Sequence, residues 1–212
     1  MKIDRIIWDF NGTVLDDVET GIISVNKLLR DRGLPEIADK TQYRRVFRFP
    51  IKKYYEGIGF DFSKEPYEVI APLWVEQYLE NVKRAKIFDD VKDAMEQFKA
   101  AGIKQTVLSA TELNMLKKQL SDLGIVEYFD EVYGLDNIHA SSKLSLALKW
   151  RETHPEEKAI MIGDTDHDLE TANAMGVDCV LICRGHQSKE YLCSLHSKVY
   201  DNILQFCVDI HP

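Results

Sequence analysis

Two stretches decide the fold: Ile6-Ile7-Trp8-Asp9-Phe10-Asn11-Gly12-Thr13, and Ala159-Ile160-Met161-Ile162-Gly163-Asp164-Thr165-Asp166-His167-Asp168. Each is a short apolar run of strand length that ends on acidic and turn-forming residues. They lie about 150 residues apart, and a parallel sheet would bring both carboxylate clusters to one edge. There they would make an acidic pocket able to hold Mg2+ and attack a phosphate. In open parallel sheets, ligands bind beyond the carboxyl ends of the strands. Asp9, Ser109 and Asp164 each directly follow a predicted strand, so these polar groups are expected to converge on one crevice.

Working outward, the chain alternates from residue 86 onward. Residues 89–101 read as an amphipathic helix with Val91, Ala94, Met95 and Phe98 on one face and Gly102 as its stop. Strand-like segments at 103–108, 131–134, 159–162 and 179–183 are separated by helices from Thr111 to Gly124, over 142–153 and over 166–175. Strands separated by helices imply an α/β fold, a doubly wound parallel sheet with a Rossmann-like core. Residues 17–85 carry helical patterns and no convincing strand. Val18, Ile22, Val25, Leu28 and Leu29 mark the first helix, and later ones are broken at Phe49-Pro50, at Gly57-Ile58-Gly59 and at Pro72. The expected organisation is a core of residues 1–16 and 86–212 with an inserted helical cap of residues 17–85.

The 212 residues suffice for one buried core and a smaller lobe, and 45% hydrophobic with 29% charged residues is ordinary for a soluble protein. A net charge of −8 argues against a broad nucleic-acid or anionic-membrane surface. No apolar run approaches the roughly 20 residues that cross a bilayer, and the start has no signal-peptide profile. Cys179, Cys183, Cys193 and Cys207 include no CxxC pair, and their spacing with His186 or His196 matches no zinc pattern. A cytoplasmic monomer with reduced thiols is expected, acting on a small phosphorylated metabolite without nucleic acid or membrane.

An Asp on such a turn can attack phosphorus and form an aspartyl-phosphate. Carboxylates alone would repel the phosphate, and Mg2+, which favours oxygen ligands, would reconcile them. A lysine would balance the remaining charge, and Lys143 near a helix start is the candidate. The Ser109 hydroxyl, with nearby backbone N–H groups such as that of Ala110, would hold the other phosphate oxygens.

The sequence resembles the haloacid dehalogenase-like hydrolases over nearly its whole length, with that family's motifs in order. The first is similar to Asp9-Phe10-Asn11-Gly12-Thr13-Val14, the second to Leu108-Ser109, the third to Lys143 and the fourth to Gly163-Asp164 through Asp168 followed by Ala172. The run from Gly163 to Ala172 is especially similar to phosphoglycolate phosphatase-like members, which makes a phosphoglycolate-like substrate the first expectation. The resemblance implies Asp9 as nucleophile and Mg2+ ligand, with Asn11 offering its backbone carbonyl to the metal. It further implies Asp164 as a direct metal ligand, Asp168 as completing the shell, Ser109 and Lys143 as holding the phosphoryl group, and the helical insert as a substrate-closing cap.

The chain departs from that pattern at Asn11, where phosphatases of the family carry Asp. That Asp protonates the leaving oxygen and then activates water. An amide cannot transfer a proton at neutral pH, and losing such help typically costs about 10²–10⁴ in rate. Three readings stay open: a slow or substrate-limited phosphatase; chemistry needing no proton from position 11, such as phosphonate hydrolysis through Lys52 or Lys53; or a weakly catalytic or regulatory phosphate-binding protein. Leaving-group dependence separates them in part, because without an acid aryl phosphates should be cleaved far better than alkyl phosphates. His186, in Arg184-Gly185-His186 after the last clear strand, could replace the missing proton carrier or serve only as a loop residue. Asp16 and Asp17 are expected to cap the first cap-lobe helix, and Asp166 and His167 to be structural. The basic run Arg44, Arg45, Arg48, Lys52 and Lys53 would either attract an anionic substrate or form a solvated helix face.

Overall fold

The computed structural model describes residues 3–136 and 142–210. Ile6, Ile7 and Trp8 form the centre of strand β1 (Arg5–Trp8), which is buried on both faces. It pairs in parallel with β4 (Lys104–Glu112) and β6 (Ala159–Gly163), with Trp8 opposite Val107 on one side and Ile162 on the other. With β5 (Glu131–Leu135), β7 (Asp178–Ile182) and β8 (Val199–Tyr200), the six-stranded order is β5-β4-β1-β6-β7-β8. The order reverses at β1, which makes the carboxyl ends of β1, β4 and β6 the switch point where such sheets bind ligands.

Side-chain alternation along β1 feeds two separate cores. Ile6 and Trp8 join Val107, Ile160, Ile162 and Val180 beneath α5 (Val91–Ala100), α6 (Leu113–Asp122) and α10 (Ile203–Ile210). Ile7 points the other way, into Met161, Leu181, Leu146 and Trp150 beneath α7 (Lys143–Thr153), α8 (Asp166–Met175) and α9 (Lys189–Leu195). This is the expected doubly wound sheet, with helices on both faces. A polar knot closes its amino-terminal edge. The Arg5 guanidinium, 2% exposed, donates to Glu157 Oε2 (2.6 Å) and Oε1 (3.2 Å), to Thr106 Oγ1 (2.6 Å) and to Glu131 Oε2 (3.1 Å).

Among the described residues, those between 17 and 85 form only helices: α1 (Val18–Asp31), α2 (Lys40–Val46), α3 (Ile51–Gly57), α4 (Tyr67–Asn81) and a short 3₁₀ turn. They share an apolar cluster of their own that includes Val25, Leu29, Tyr43, Phe47, Tyr55 and Ile70. Where the chain enters and leaves this lobe, β2 (Leu15–Asp16) and β3 (Lys86–Ile87) pair antiparallel, Leu15 opposite Ile87. That ribbon is too short to leave a period-2 signature.

Three local expectations are corrected. Pro72 does not break its helix: α4 runs through it, and Pro72 is exposed, where water can satisfy the carbonyl a turn earlier. The helix expected from Thr111 begins only at Leu113, because β4 continues to Glu112, which pairs with Leu135. The Glu112 carboxylate then accepts from Asn114 N (3.0 Å) and Met115 N (2.9 Å) and caps the helix. Asp17 occupies the N-cap position of α1 but makes no side-chain cap; its carboxylate is drawn elsewhere, as described next.

Candidate active site

Asp9, Asp164 and Asp168 come together beyond β1 and β6, with a carboxylate oxygen from each within 4.8 Å of the others. All three are buried, at 7%, 1% and 1% exposure. Asp9 is locked to the sheet by its N–H, which donates to Ile162 O at 2.8 Å. Asp168 divides its oxygens between two tasks. Oδ2 accepts from Thr165 Oγ1 (2.7 Å), Thr165 N (3.0 Å) and Asp164 N (3.1 Å) and so caps α8, while Oδ1 faces Lys143. Asp164 accepts from Thr13 Oγ1 (3.1 Å) and from His186 N (2.6 Å).

Lys143 is the first residue of α7, whose start is fixed by reciprocal bonds of 3.2 Å between Ser142 and Ser145. Its buried ammonium donates to both Asp9 and Asp168. Lys149, further along the same helix, is exposed. Two glycines make room for the cluster. A Cβ on Gly185 would lie 2.1 Å from Asp164 Oδ2, and one on Gly12, at φ +79°, would lie 2.4 Å from the same atom.

The electrostatics follow from three carboxylates facing one ammonium. Burial pushes the Asp9 carboxyl well above its ordinary range; Lys143 opposes this, and Asp168 and Asp164 add to it. Burial likewise raises Asp164, to about 6, against the pull of His186. Burial also works against Asp168, yet Lys143 holds it below the usual carboxylate range. Burial disfavours the Lys143 ammonium, but Asp168 and Asp9 together hold it above its ordinary value.

Asn11 faces the helical lobe. Its Nδ2 donates to Asp17 Oδ2 (2.9 Å) and to Tyr78 Oη (2.7 Å), and its Oδ1 accepts from Thr111 Oγ1 (3.0 Å). Tyr78 donates onward to Asp17 Oδ2 at 2.5 Å. On the other side of Asp17, His186 Nε2 lies 3.2 Å from Oδ1, and Tyr43 Oη lies 3.0 Å from His186 Nδ1. Burial disfavours the His186 cation, but Asp17 outweighs it and raises the imidazole to about 9. Asp17, despite burial, is held below its ordinary value by His186. This buried network is why Asp17 does not cap α1.

These groups line one cavity of about 330 Å³ between the sheet edge and the helical lobe. Asp9, Asn11, Ala110, Lys143 and Asp168 reach it. Ser109 is fully buried beneath it, its hydroxyl bonded to Thr111 Oγ1 and accepting from Thr111 N, each at 3.1 Å. Thr111 stands at the cavity wall in its place. His167, read as structural, also lines the cavity and stacks on Phe49 at 4.8 Å between ring centres. The basic run does not serve it. Arg44 donates to the Gly185 (2.8 Å) and Arg184 carbonyls, Arg48 lies 3.7 Å over the Tyr191 ring, and Arg45, Lys52 and Lys53 are exposed. Tyr43, Tyr78 and Thr111 went unnoticed in the sequence because their partners lie 143, 67 and 100 residues away.

The sequence model of the haloacid dehalogenase-like hydrolases matches residues 6–182. A phosphoglycolate phosphatase of Aquifex aeolicus is 28% identical over 185 residues, covering 85% of each chain. The tyrosine-protein kinase PtkA of Mycobacterium tuberculosis is 22% identical over 190 residues, 88% of this chain and 64% of its own. Among solved structures, a haloacid dehalogenase-like hydrolase of Streptococcus pneumoniae superposes with a TM-score of 0.81 over 99% of both chains at 20% identity. That likeness carries the fold alone.

Proposed function

The chain belongs to the haloacid dehalogenase-like hydrolases, and from that membership we propose a Mg2+-dependent phosphatase that hydrolyses a small phosphate monoester through an aspartyl-phosphate on Asp9. The observation that carries this reading is the buried set Asp9, Asp164 and Asp168, of which Asp9 and Asp168 line the cavity together with Lys143. The donor set suits Mg2+: hard carboxylate oxygens, in excess over the one ammonium that faces them. Asp9, Asp164 and Asp168 would hold the ion with the Asn11 backbone carbonyl. When bound, Mg2+ supplies the positive charge that lets a phosphate approach these carboxylates.

In the first step an Asp9 oxygen bonds to phosphorus while the ester P–O bond breaks, its electron pair leaving on the alcohol oxygen. In the second, water attacks phosphorus, the Asp9–phosphorus bond breaks and the carboxylate is restored, the water's protons passing to phosphate and solvent. Lys143 opposes the rise that burial imposes on the Asp9 carboxyl and would balance charge on the phosphoryl oxygens. The backbone N–H of Ala110 and the hydroxyl of Thr111 would bind those oxygens, with Ser109 holding Thr111 in place. Residues 17–85 would serve as the cap, hinged at the β2–β3 ribbon, with the enzyme working in the cytoplasm. Asn11 neither gives nor takes a proton, so water activation, and departure of any strongly basic leaving oxygen, should run about 10²–10⁴ below a fully equipped site. Phosphonate hydrolysis through a cap lysine gains no support, since Lys143 is the one lysine among the described residues that line the cavity.

The test is phosphate release from a panel of monoesters with and without Mg2+, in wild type and Asp9→Asn. Release that requires both Mg2+ and Asp9 supports the reading. No release from any ester, with Asn11→Asp equally silent, would sink it in favour of a phosphate-binding or regulatory role.

A further inference from the structure

The part of the cavity away from Asp9 is aromatic. Phe47 and Phe49 come from the connection between α2 and α3, Tyr54 from α3, and Trp74 and Tyr78 from α4. Phe47 lies 5.5 Å from Phe49 and 5.2 Å from Tyr54 between ring centres, and Trp74 stacks on Tyr78 at 4.9 Å. Met115 and Ile51 complete an apolar lining. The lining cations, Lys143 and His186, are each engaged by carboxylates: Lys143 by Asp9 and Asp168, His186 by Asp17. His167 stacks on Phe49. The remaining charged liner, Glu112, is an acid. A substrate with a second anionic end, such as the carboxylate of phosphoglycolate, would lose its hydration here and meet no free cation among the described lining residues.

Two further observations point to the occupant. Tyr54, 4% exposed and lining this cavity, has a hydroxyl with no hydrogen-bond partner among the described residues. Such a buried polar group costs about 1–3 kcal/mol unless a ligand satisfies it. The second is Asn11: its amide offers the leaving oxygen no proton, which favours an oxygen that can depart unprotonated. A phenolate, of pKa about 10 as in tyrosine, does so far more readily than the much more basic alkoxide of an alkyl ester.

Resting on the phosphatase reading, we infer that the substrate is an aryl phosphate, its ring held among Phe47, Phe49 and Trp74 and a polar ring substituent meeting the Tyr54 hydroxyl. The oxygen of Asp9 bonds to phosphorus, the aryl P–O bond breaks, and the electron pair leaves as phenolate, which takes its proton from water. The cavity and the amide then answer one another: a site that binds aryl leaving groups has the least need of an acid at position 11.

The experiment has a chemical and a binding arm. With Mg2+, kcat/KM is measured for phenyl phosphate, 4-acetylphenyl phosphate and phosphoglycolate in wild type, Trp74→Ala and Tyr54→Phe. Aryl esters should exceed phosphoglycolate by about 10²-fold or more, and Trp74→Ala should shrink that ratio about tenfold through KM. Tyr54→Phe should raise KM for the acetyl-bearing ester and not for phenyl phosphate. In the binding arm, calorimetry compares benzylphosphonate with phosphonoacetate, neither of which can be hydrolysed as an ester; benzylphosphonate should bind about tenfold tighter or more. Asp9-dependent turnover that favours phosphoglycolate, or tighter binding of phosphonoacetate, would overturn the aryl assignment and leave the phosphatase standing. Tight benzylphosphonate binding with no turnover of any ester would uphold the aromatic site and overturn the phosphatase reading instead.

Discussion

Asn11→Asp would set a second carboxyl against Asp17, where the wild-type amide donates at 2.9 Å. Two ionised carboxylates at that distance repel by about 6 kcal/mol at an effective dielectric of about 20. Keeping one of them protonated at neutral pH, from an ordinary value near 4, costs about 4 kcal/mol. Protonation is the cheaper outcome, so the new carboxyl should keep its proton and donate it to Asp17, with His186 easing the charge on the far oxygen. A carboxyl whose folded pKa is raised binds more protons in the native than in the unfolded state. The variant should therefore match wild type at about pH 4 and lose up to about 4 kcal/mol against it as pH rises to 7. The retained proton is also the acid the wild-type site lacks. Turnover of alkyl phosphates, with their poor leaving group, should rise about 10²–10⁴-fold. Urea denaturation across that pH range, with phosphate release from glycerol phosphate at neutral pH, reads both effects. A stability difference that is flat with pH, or alkyl turnover unchanged, would refute the reasoning.

Chelation with EDTA should abolish phosphate release and Mg2+ should restore it, as read in a coupled phosphate assay. Gly185→Ala should raise the Mg2+ concentration needed for half-activation about tenfold or more, because its Cβ would fall 2.1 Å from Asp164 Oδ2; titrating activity with Mg2+ checks this. Arg5→Met should cost about 3–5 kcal/mol in urea by leaving Glu157 and Glu131 without their buried partner, with kcat per folded molecule unchanged. The hydrogen bond from Arg5 depresses Glu157 against burial. That share of stability is present above the unfolded carboxyl value and lost as pH falls through the folded one, so the acid limb of the stability curve should flatten in the variant.

The core was legible because a strand buried on both faces is a continuous apolar run, as Ile6-Ile7-Trp8 and Ala159–Ile162 are. The carboxylates of Asp9 and Asp164 were legible because each lies at a strand's carboxyl end, whereas Asp168 was singled out from Asp166 only by the family resemblance. Lys143 followed from a helix start. The cavity was not legible in the same way. Its walls are set by how α2–α4 fold back over the sheet, and Tyr54 or Trp74 in sequence is indistinguishable from any core aromatic. Asp17 carries every mark of a helix cap, yet Asn11, Tyr78 and His186 compete for its oxygens and win. The cluster of arginines suggested an anion trap, but Arg44 and Arg48 are used to pin the lobe to the Arg184–Gly185 loop and to Tyr191.

The most direct test of the central claim is a rapid-quench experiment with an aryl phosphate and Mg2+, followed by intact-mass and peptide analysis of the acid-quenched protein. An amide at position 11 hinders water activation more than departure of a phenolate, so the phosphoryl group should accumulate on Asp9. A burst of about one equivalent of phenol per site should precede slow turnover, with the added phosphoryl mass on the Asp9 peptide and neither signal in Asp9→Asn. Phenol release without a burst, without phosphoryl mass on that peptide, and undiminished in Asp9→Asn would contradict it.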